Sequence, residues 1–115
     1  MKASTATKMS NEQAEVVKQL SSMLQYQAAS VVSRVILKNK GGTVTLFAFS
    51  KDEGLSEHTA PYDALVHVLD GEVEVRISGQ PFHLKSGDAI IMPANDPHAL
   101  KAITQFKMLL TMIRK

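Results

Sequence analysis

The chain has 115 residues, of which 44% are hydrophobic and 21% charged, and its formal net charge is +2. This length and composition predict one globular domain with a single core, and they exclude a disordered or fibrous chain. The sequence contains no cysteine, which excludes disulfides, thiolate metal sites and a cysteine nucleophile.

Basic residues are scattered along the chain and do not gather in one run or on one face. Nucleic-acid binding requires such a cluster, so a nucleic-acid partner is not expected. No apolar run reaches the length of a membrane span, and the N-terminus lacks the apolar segment of a secretory signal. The sequence therefore predicts a soluble cytoplasmic protein with no membrane partner.

Residues 1–29 are predicted to form an N-terminal arm that contains one short helix. Ser10 is the candidate N-cap, and Gln13 is its reciprocal partner in a capping box. Apolar residues then recur at helical spacing: Val16, Val17, Leu20, Met23 and Leu24. A helix with one apolar stripe most commonly packs on its own domain, and a partner-binding helix is the alternative.

Residues 30–115 are predicted to form the main domain, built from short strands. Val31–Lys38 and Thr43–Phe49 flank a turn at 39–42 and predict a hairpin. Thr43–Phe49 and Phe106–Ile113 carry apolar residues on both faces. Strands of this kind are buried on both sides, so one face is expected in the core and the other in a homodimer interface.

The pair Asp70–Gly71 separates Asp63–Leu69 from Glu72–Ser78, which is a strong signal for a two-residue hairpin. Further turn signals follow at intervals of roughly six to twelve residues, with little helix between them. This pattern of about eight short strands indicates an all-β sandwich or small barrel.

The second half of the chain resembles a motif of the small single-domain cupins. The spacings of Gly87, Pro93 and His98 match that motif, while Asn95 replaces a glycine and Ala102 replaces an asparagine. A second cupin motif aligns through 58–71, and the resemblance extends over about residues 31–113. It implies a conical β-barrel, also called a double-stranded β-helix or jelly roll.

Metal-binding cupins use two histidines and a glutamate from one motif and a histidine from the other. By this resemblance His58 and His98 occupy ligand positions, whereas Ala60 and Ala64 stand where a histidine and a glutamate are expected. Two imidazoles alone hold a divalent transition metal weakly, since an open catalytic site normally keeps three protein ligands. Tyr62 shares the strand parity of His58 and is expected to face the cavity.

Strand parity turns His67 and His83 away from that cavity. Met92, Met108 and Met112 are interpreted as core-filling side chains, which is the usual role of methionine.

Three classes of function remain open. The first is a barrel that binds a small polar or carbohydrate-like ligand through His58, Tyr62, Asp63 and His98, with a weakly held divalent transition metal on the two histidines and no other cofactor. The second is an enzyme: a metal-dependent dioxygenase or isomerase completed by Asp63 or Tyr62, or a metal-free epimerase of the sugar type. The third is a structural or regulatory homodimer in which the two histidines only give the cavity polarity.

Overall fold

The computed structural model describes residues 14–114, which form nine strands in two antiparallel sheets. The strands are β1 Val31–Asn39, β2 Gly42–Phe49, β3 Gly54–His58, β4 Tyr62–Asp70, β5 Glu72–Ile77, β6 Gln80–Lys85, β7 Ala89–Met92, β8 His98–Ala102 and β9 Phe106–Arg114. One sheet has the order β1-β2-β9-β4-β7 and the other has the order β3-β8-β5-β6. The chain passes repeatedly between the sheets, as in a jelly roll, so the predicted all-β class is confirmed.

Alternation along the strands sends the core side chains into the space between the two sheets. Val66 on β4 and Val75 on β5 lie in different sheets, and both are fully buried. Phe49 on β2 and Phe106 on β9 are partners in register, and their rings stack with centroids 4.5 Å apart. Burial of such side chains contributes about 1.5–3 kcal/mol each, so this layer holds the sheets together around the barrel.

The predicted hairpin at Asp70–Gly71 is wrong, although the one joining β1 to β2 is confirmed. Strand β4 pairs with β7 and β9, whereas β5 pairs with β6 and β8, so the chain changes sheets at this turn. The crossing lets the apolar faces of β4 and β5 pack against each other across the core, which a hairpin within one sheet does not allow. Pairing between distant strands therefore overrides the local turn signal.

The predicted N-terminal helix is absent from the described part of the chain. Ser10 and Gln13 lie outside the described residues, and Leu20–Ser22 forms a single 3₁₀ turn. Glu15 has a φ of +61°, which no α-helical residue adopts. Among residues 14–114 no helix is long and apolar enough to cross a membrane.

Side-chain contacts hold the N-terminal segment on the outer face of the five-stranded sheet. Lys107 Nζ donates to the carbonyl oxygen of Ser21 at 2.5 Å and lies 4.9 Å from the ring centre of Tyr26. The Tyr26 hydroxyl donates to Asp70 Oδ2 at 2.5 Å, and burial together with this bond raises the pKa of Tyr26. Beside these contacts the outward-facing Leu46 on β2 is fully buried within the single chain.

The other end of the same outer face is open to solvent. A row of cross-strand neighbours runs over all five strands: Leu37, Val44, Thr111, Leu65 and Ile91. Ile113 lies two residues further along β9, and four of these side chains are strongly exposed: Leu37 at 57%, Leu65 at 40%, Ile91 at 61% and Ile113 at 60%. We call the region of Leu37, Leu65, Ile91 and Ile113 the open face.

Candidate metal and ligand site

The fold brings His58 and His98 into direct contact, as the resemblance to the cupins implies. His58 is the last residue of β3, His98 is the first of β8, and the two are partners in the antiparallel register. Their Nε2 atoms are 3.1 Å apart, and the ring planes meet at 75°. His98 is buried and His58 is exposed, so one ring of the pair is shielded from solvent and the other is accessible to it.

A backbone carbonyl orients each imidazole ring. Nδ1 of His58 lies 2.8 Å from the oxygen of Ser56, and Nδ1 of His98 lies 3.2 Å from the oxygen of Asp96. A carbonyl oxygen only accepts hydrogen bonds, so Nδ1 carries the proton in each ring. When the rings are neutral, both Nε2 atoms therefore direct lone pairs at each other, and a metal cation between them would stabilise this arrangement.

The surroundings of His98 favour the neutral imidazole. Burial lowers the pKa of His98 below its usual value of 6.5, and the charge of His58 lowers it further. The hydrogen bond to Asp96 opposes these two effects. The neutral ring leaves the Nε2 lone pair free for a ligand at neutral pH.

This lowered pKa predicts that the metal-free protein loses stability on acidification. Because the pKa of His98 is lower in the folded state, the unfolded chain binds the proton first as the pH falls through about 6.5. The free energy of unfolding is therefore expected to be flat for this group above about pH 7.5 and to fall below about pH 6.5, by at most about 1.4 kcal/mol per pH unit. Urea unfolding in EDTA over this range measures the slope.

The matched control for this pH dependence is His98→Gln. This substitution removes the titrating imidazole and should flatten the profile near pH 6. Identical profiles for the wild type and His98→Gln would contradict the assignment.

The two histidines open into a small cavity of about 40 Å³ between the sheets. One water needs roughly 10–15 Å³, so the cavity admits only a few non-hydrogen atoms. Tyr62 lines this cavity together with Ala60 and Ala64, the two alanines at the family's ligand positions. Within residues 14–114, no aspartate or glutamate lines the cavity.

Asp63 does not reach the cavity, because β4 keeps a regular alternation through this region despite the preceding Pro61. Tyr62 and Ala64 point inward, whereas Asp63 is exposed. Its Oδ1 accepts the backbone N–H of Ala94 at 2.9 Å. Asp63 thus fixes the loop that leads to His98, and it supplies no group inside the barrel.

Three methionines with a predicted core-filling role line the cavity: Met92, Met108 and Met112. Strand parity places Met108 and Met112 on the inner face of β9, and this signal was present in the sequence. The sequence did not reveal which strands pair with β4, and this strand pairing places Ala64 opposite both Met92 and Met112.

A second, larger hollow of about 270 Å³ adjoins the cavity at Tyr62 and Met112, which line both. Lys38 and Arg114 line this hollow and give it positive charge. The Arg114 guanidinium lies 5.5 Å from the ring centre of Tyr62. The Thr43 hydroxyl in the same wall is buried and has no hydrogen-bond partner among the described residues.

The residues do not fit the complete metal centre that the family resemblance implies. Within residues 14–114 no group of three or more His, Cys, Asp or Glu side chains is arranged to hold a metal ion. What is present is a pair of imidazole nitrogens, which meets half of the expected ligand set.

Comparison with known proteins adds a family and several similar structures. The cupin domain family matches residues 45–114. A conserved protein of unknown function from Streptococcus pyogenes is 30% identical with a TM-score of 0.84, covering 88% of this chain and 89% of that chain. A cupin superfamily protein from Desulfitobacterium hafniense is 27% identical with a TM-score of 0.83, covering 88% and 93%.

A cupin 2 conserved barrel domain protein from Leptotrichia buccalis is 39% identical, with a TM-score of 0.79. The alignment covers 82% of this chain and 46% of that chain, so the present chain spans about half of that protein. No curated protein matches the sequence.

Proposed function

The chain belongs to the cupin family, and from this premise we propose that it binds a transition-metal cation and a small polar ligand at the His58–His98 pair. The observation that carries the proposal is the 3.1 Å separation of two Nε2 atoms whose rings are each fixed by a carbonyl at Nδ1. Two nitrogens at about 2.1 Å from one ion lie about 3.0–3.4 Å apart when they occupy neighbouring coordination positions. The observed separation falls in this range.

Binding is favoured over catalysis by the chemistry of the cavity lining. A non-haem iron site needs a carboxylate beside its two histidines. The carboxylate of Asp63 lies outside the cavity, where it accepts a hydrogen bond from the backbone N–H of Ala94. The epimerase alternative also places an aspartate in the barrel. Two protein ligands leave most coordination positions to water or to the bound molecule, so the metal is expected to bind weakly on its own.

The ligand proposed here is small and carries an anionic group. Its coordinating atoms enter the cavity of about 40 Å³, and the remainder occupies the adjoining hollow beside Lys38 and Arg114. A whole sugar ring exceeds the cavity, so a carbohydrate-like ligand reaches the histidines only with an end group. Tyr62, at the junction of both spaces, is the hydrogen-bonding residue between them. We place this binding function in the cytoplasm, with which a cysteine-free chain is compatible.

Calorimetric titration of EDTA-treated protein with Zn²⁺ or Co²⁺ tests the metal part of the proposal. We expect one ion per chain, and we expect His58→Ala and His98→Ala each to weaken binding at least about 10-fold, the lower range for losing a support of a metal site. His83→Ala is the control, because it removes a surface histidine that pairs with Glu72 and does not line the cavity. Absence of binding, or equal loss in the control, overturns the proposal.

We also propose that the open face joins two copies of the chain in a homodimer. A structural or regulatory role of this dimer is the alternative to the binding function. Contiguous exposed apolar side chains on four strands are unusual on a monomer and mark an interaction surface. The two-fold partner of such a face is the same face of a second copy. Sedimentation velocity at micromolar concentration tests the dimer, and a monomer under these conditions contradicts it.

A further inference from the structure

We propose that the cation held by His58 and His98 is monovalent copper, Cu(I), and that Met92 and Met112 complete its ligand set with thioether sulfur. This inference rests on the proposed function and names the chemistry of its cation. It concerns the part of the barrel where this chain has Ala64 at a ligand position of the family and methionines on the two strands beside it.

The register of the five-stranded sheet places both methionines around Ala64. Met112 on β9 is the partner of Ala64 on one side, and Met92 on β7 is its partner on the other. Directly opposed residues on one face have Cβ atoms about 4.5–5.5 Å apart. The two long side chains therefore flank the small alanine and line the same cavity as the histidine pair.

The available donors are soft and neutral. Thioether sulfur selects Cu(I), imidazole nitrogen is compatible with copper, and the hard oxygen ligands that favour Mg²⁺, Ca²⁺ or Mn²⁺ are carboxylates and carbonyls. Of the side chains that line the cavity in the described part of the chain, none is a carboxylate. The donor set of two imidazoles and two thioethers thus matches Cu(I) better than it matches a hard divalent ion.

The charge of the surroundings points the same way. The cost of burying an ion rises with the square of its charge, so a divalent ion costs roughly four times as much as a monovalent one in the same cavity. No described carboxylate in the lining offsets that cost, and Arg114 and Lys38 add positive charge in the adjoining hollow. A single positive charge is therefore preferred over two.

The competing explanation is that the methionines only fill space, as methionine commonly does in cores. The two explanations differ in one measurable respect. Leucine replaces methionine in a core with little loss of stability, but leucine offers no donor atom to a metal.

The test uses anaerobic titration of the full chain with Cu(I), competed against a chromophoric Cu(I) chelator, with Ag(I) as a redox-inert probe and Zn²⁺ for comparison. We expect one Cu(I) per chain, bound at least 100-fold more tightly than Zn²⁺. X-ray absorption of the Cu(I)-loaded protein should show both nitrogen and sulfur neighbours.

The decisive variants are Met92→Leu and Met112→Leu, combined in one chain. They should weaken Cu(I) binding at least 10-fold and leave the thermal midpoint and the Zn²⁺ affinity nearly unchanged. Met23→Leu, in the N-terminal segment away from the cavity lining, is the matched control and should change neither.

If Zn²⁺ binds at the histidines but Cu(I) binds no more tightly, or if the double variant keeps full Cu(I) affinity, this inference is overturned and the proposed function stands. If neither ion binds and His58→Ala and His98→Ala have no effect, both are overturned.

Discussion

Replacing Gly71 with alanine is expected to lower the free energy of unfolding by at least about 3 kcal/mol, by adding a backbone clash to left-handed strain. Gly71 has a φ of +78°, in the region that side chains rarely adopt. An added Cβ would also lie 2.0 Å from the carbonyl oxygen of Gln105 and 2.8 Å from Cα of Phe106. Relief requires the backbone that leads into β9 to shift, and Phe106 is a fully buried core residue.

Gly79→Ala is the matched control for this prediction. Gly79 has a nearly identical φ of +82°, but a Cβ there meets nothing within 4 Å. Its replacement should therefore cost only the strain of a left-handed residue, about 1–2 kcal/mol. Urea unfolding of both variants measures the difference between their free energies of unfolding. This difference gives the cost of the clash between residue 71 and the backbone that leads into β9. Equal losses in the two variants would refute the explanation.

Replacing Ile113 with glutamate is expected to weaken the proposed dimer at least about 100-fold. An anchor residue buried in an interface contributes about 2 kcal/mol or more, and an unpaired charge in its place adds a desolvation cost. Ile113 is 60% exposed in the single chain. In a two-fold interface each substitution occurs twice, which amplifies the loss. The variant should sediment as a folded monomer at concentrations where the wild type is dimeric.

Ile103→Glu is the control for the dimer prediction. Ile103 is 39% exposed, similarly apolar and located in the turn between β8 and β9, outside the open face. It should sediment like the wild type. Dissociation of both variants to the same extent would show that general destabilisation, and not contact at the open face, separates the copies.

The fold was largely predictable because alternation and turn residues report local geometry. Val73 and Val75 alternate with Glu72, Glu74 and Arg76 in the sequence, and in β5 both valines are buried whereas these three charged residues are not. Asn95 stands where the cupin motif has a glycine, and its φ of +70° is a left-handed conformation that glycine and asparagine adopt most readily. The turn at Asp70–Gly71 was misread because a turn signal specifies a reversal of the chain, and it does not specify which strands pair afterwards.

The N-terminal segment shows the same limit. Val16, Leu20 and Met23 have helical spacing, but the positive φ of Glu15 and the contact of Ser21 with Lys107 give the segment another conformation. Long-range contacts determined this outcome, and the helical pattern carries no information about them.

Residue patterns alone predicted the all-β class and the inward orientation of Tyr62, and the cupin motif spacing predicted that His58 and His98 lie together. Periodicity and turn chemistry are local properties, so they can be read without knowing the partners of a strand. Contacts between distant parts of the chain were needed to show that Asp63 binds Ala94 outside the barrel and that Lys107 holds the N-terminal segment at Ser21. They were also needed to show that Met92 and Met112 flank Ala64. These facts depend on register between distant strands, which is fixed by packing of the whole core and by no single stretch of chain.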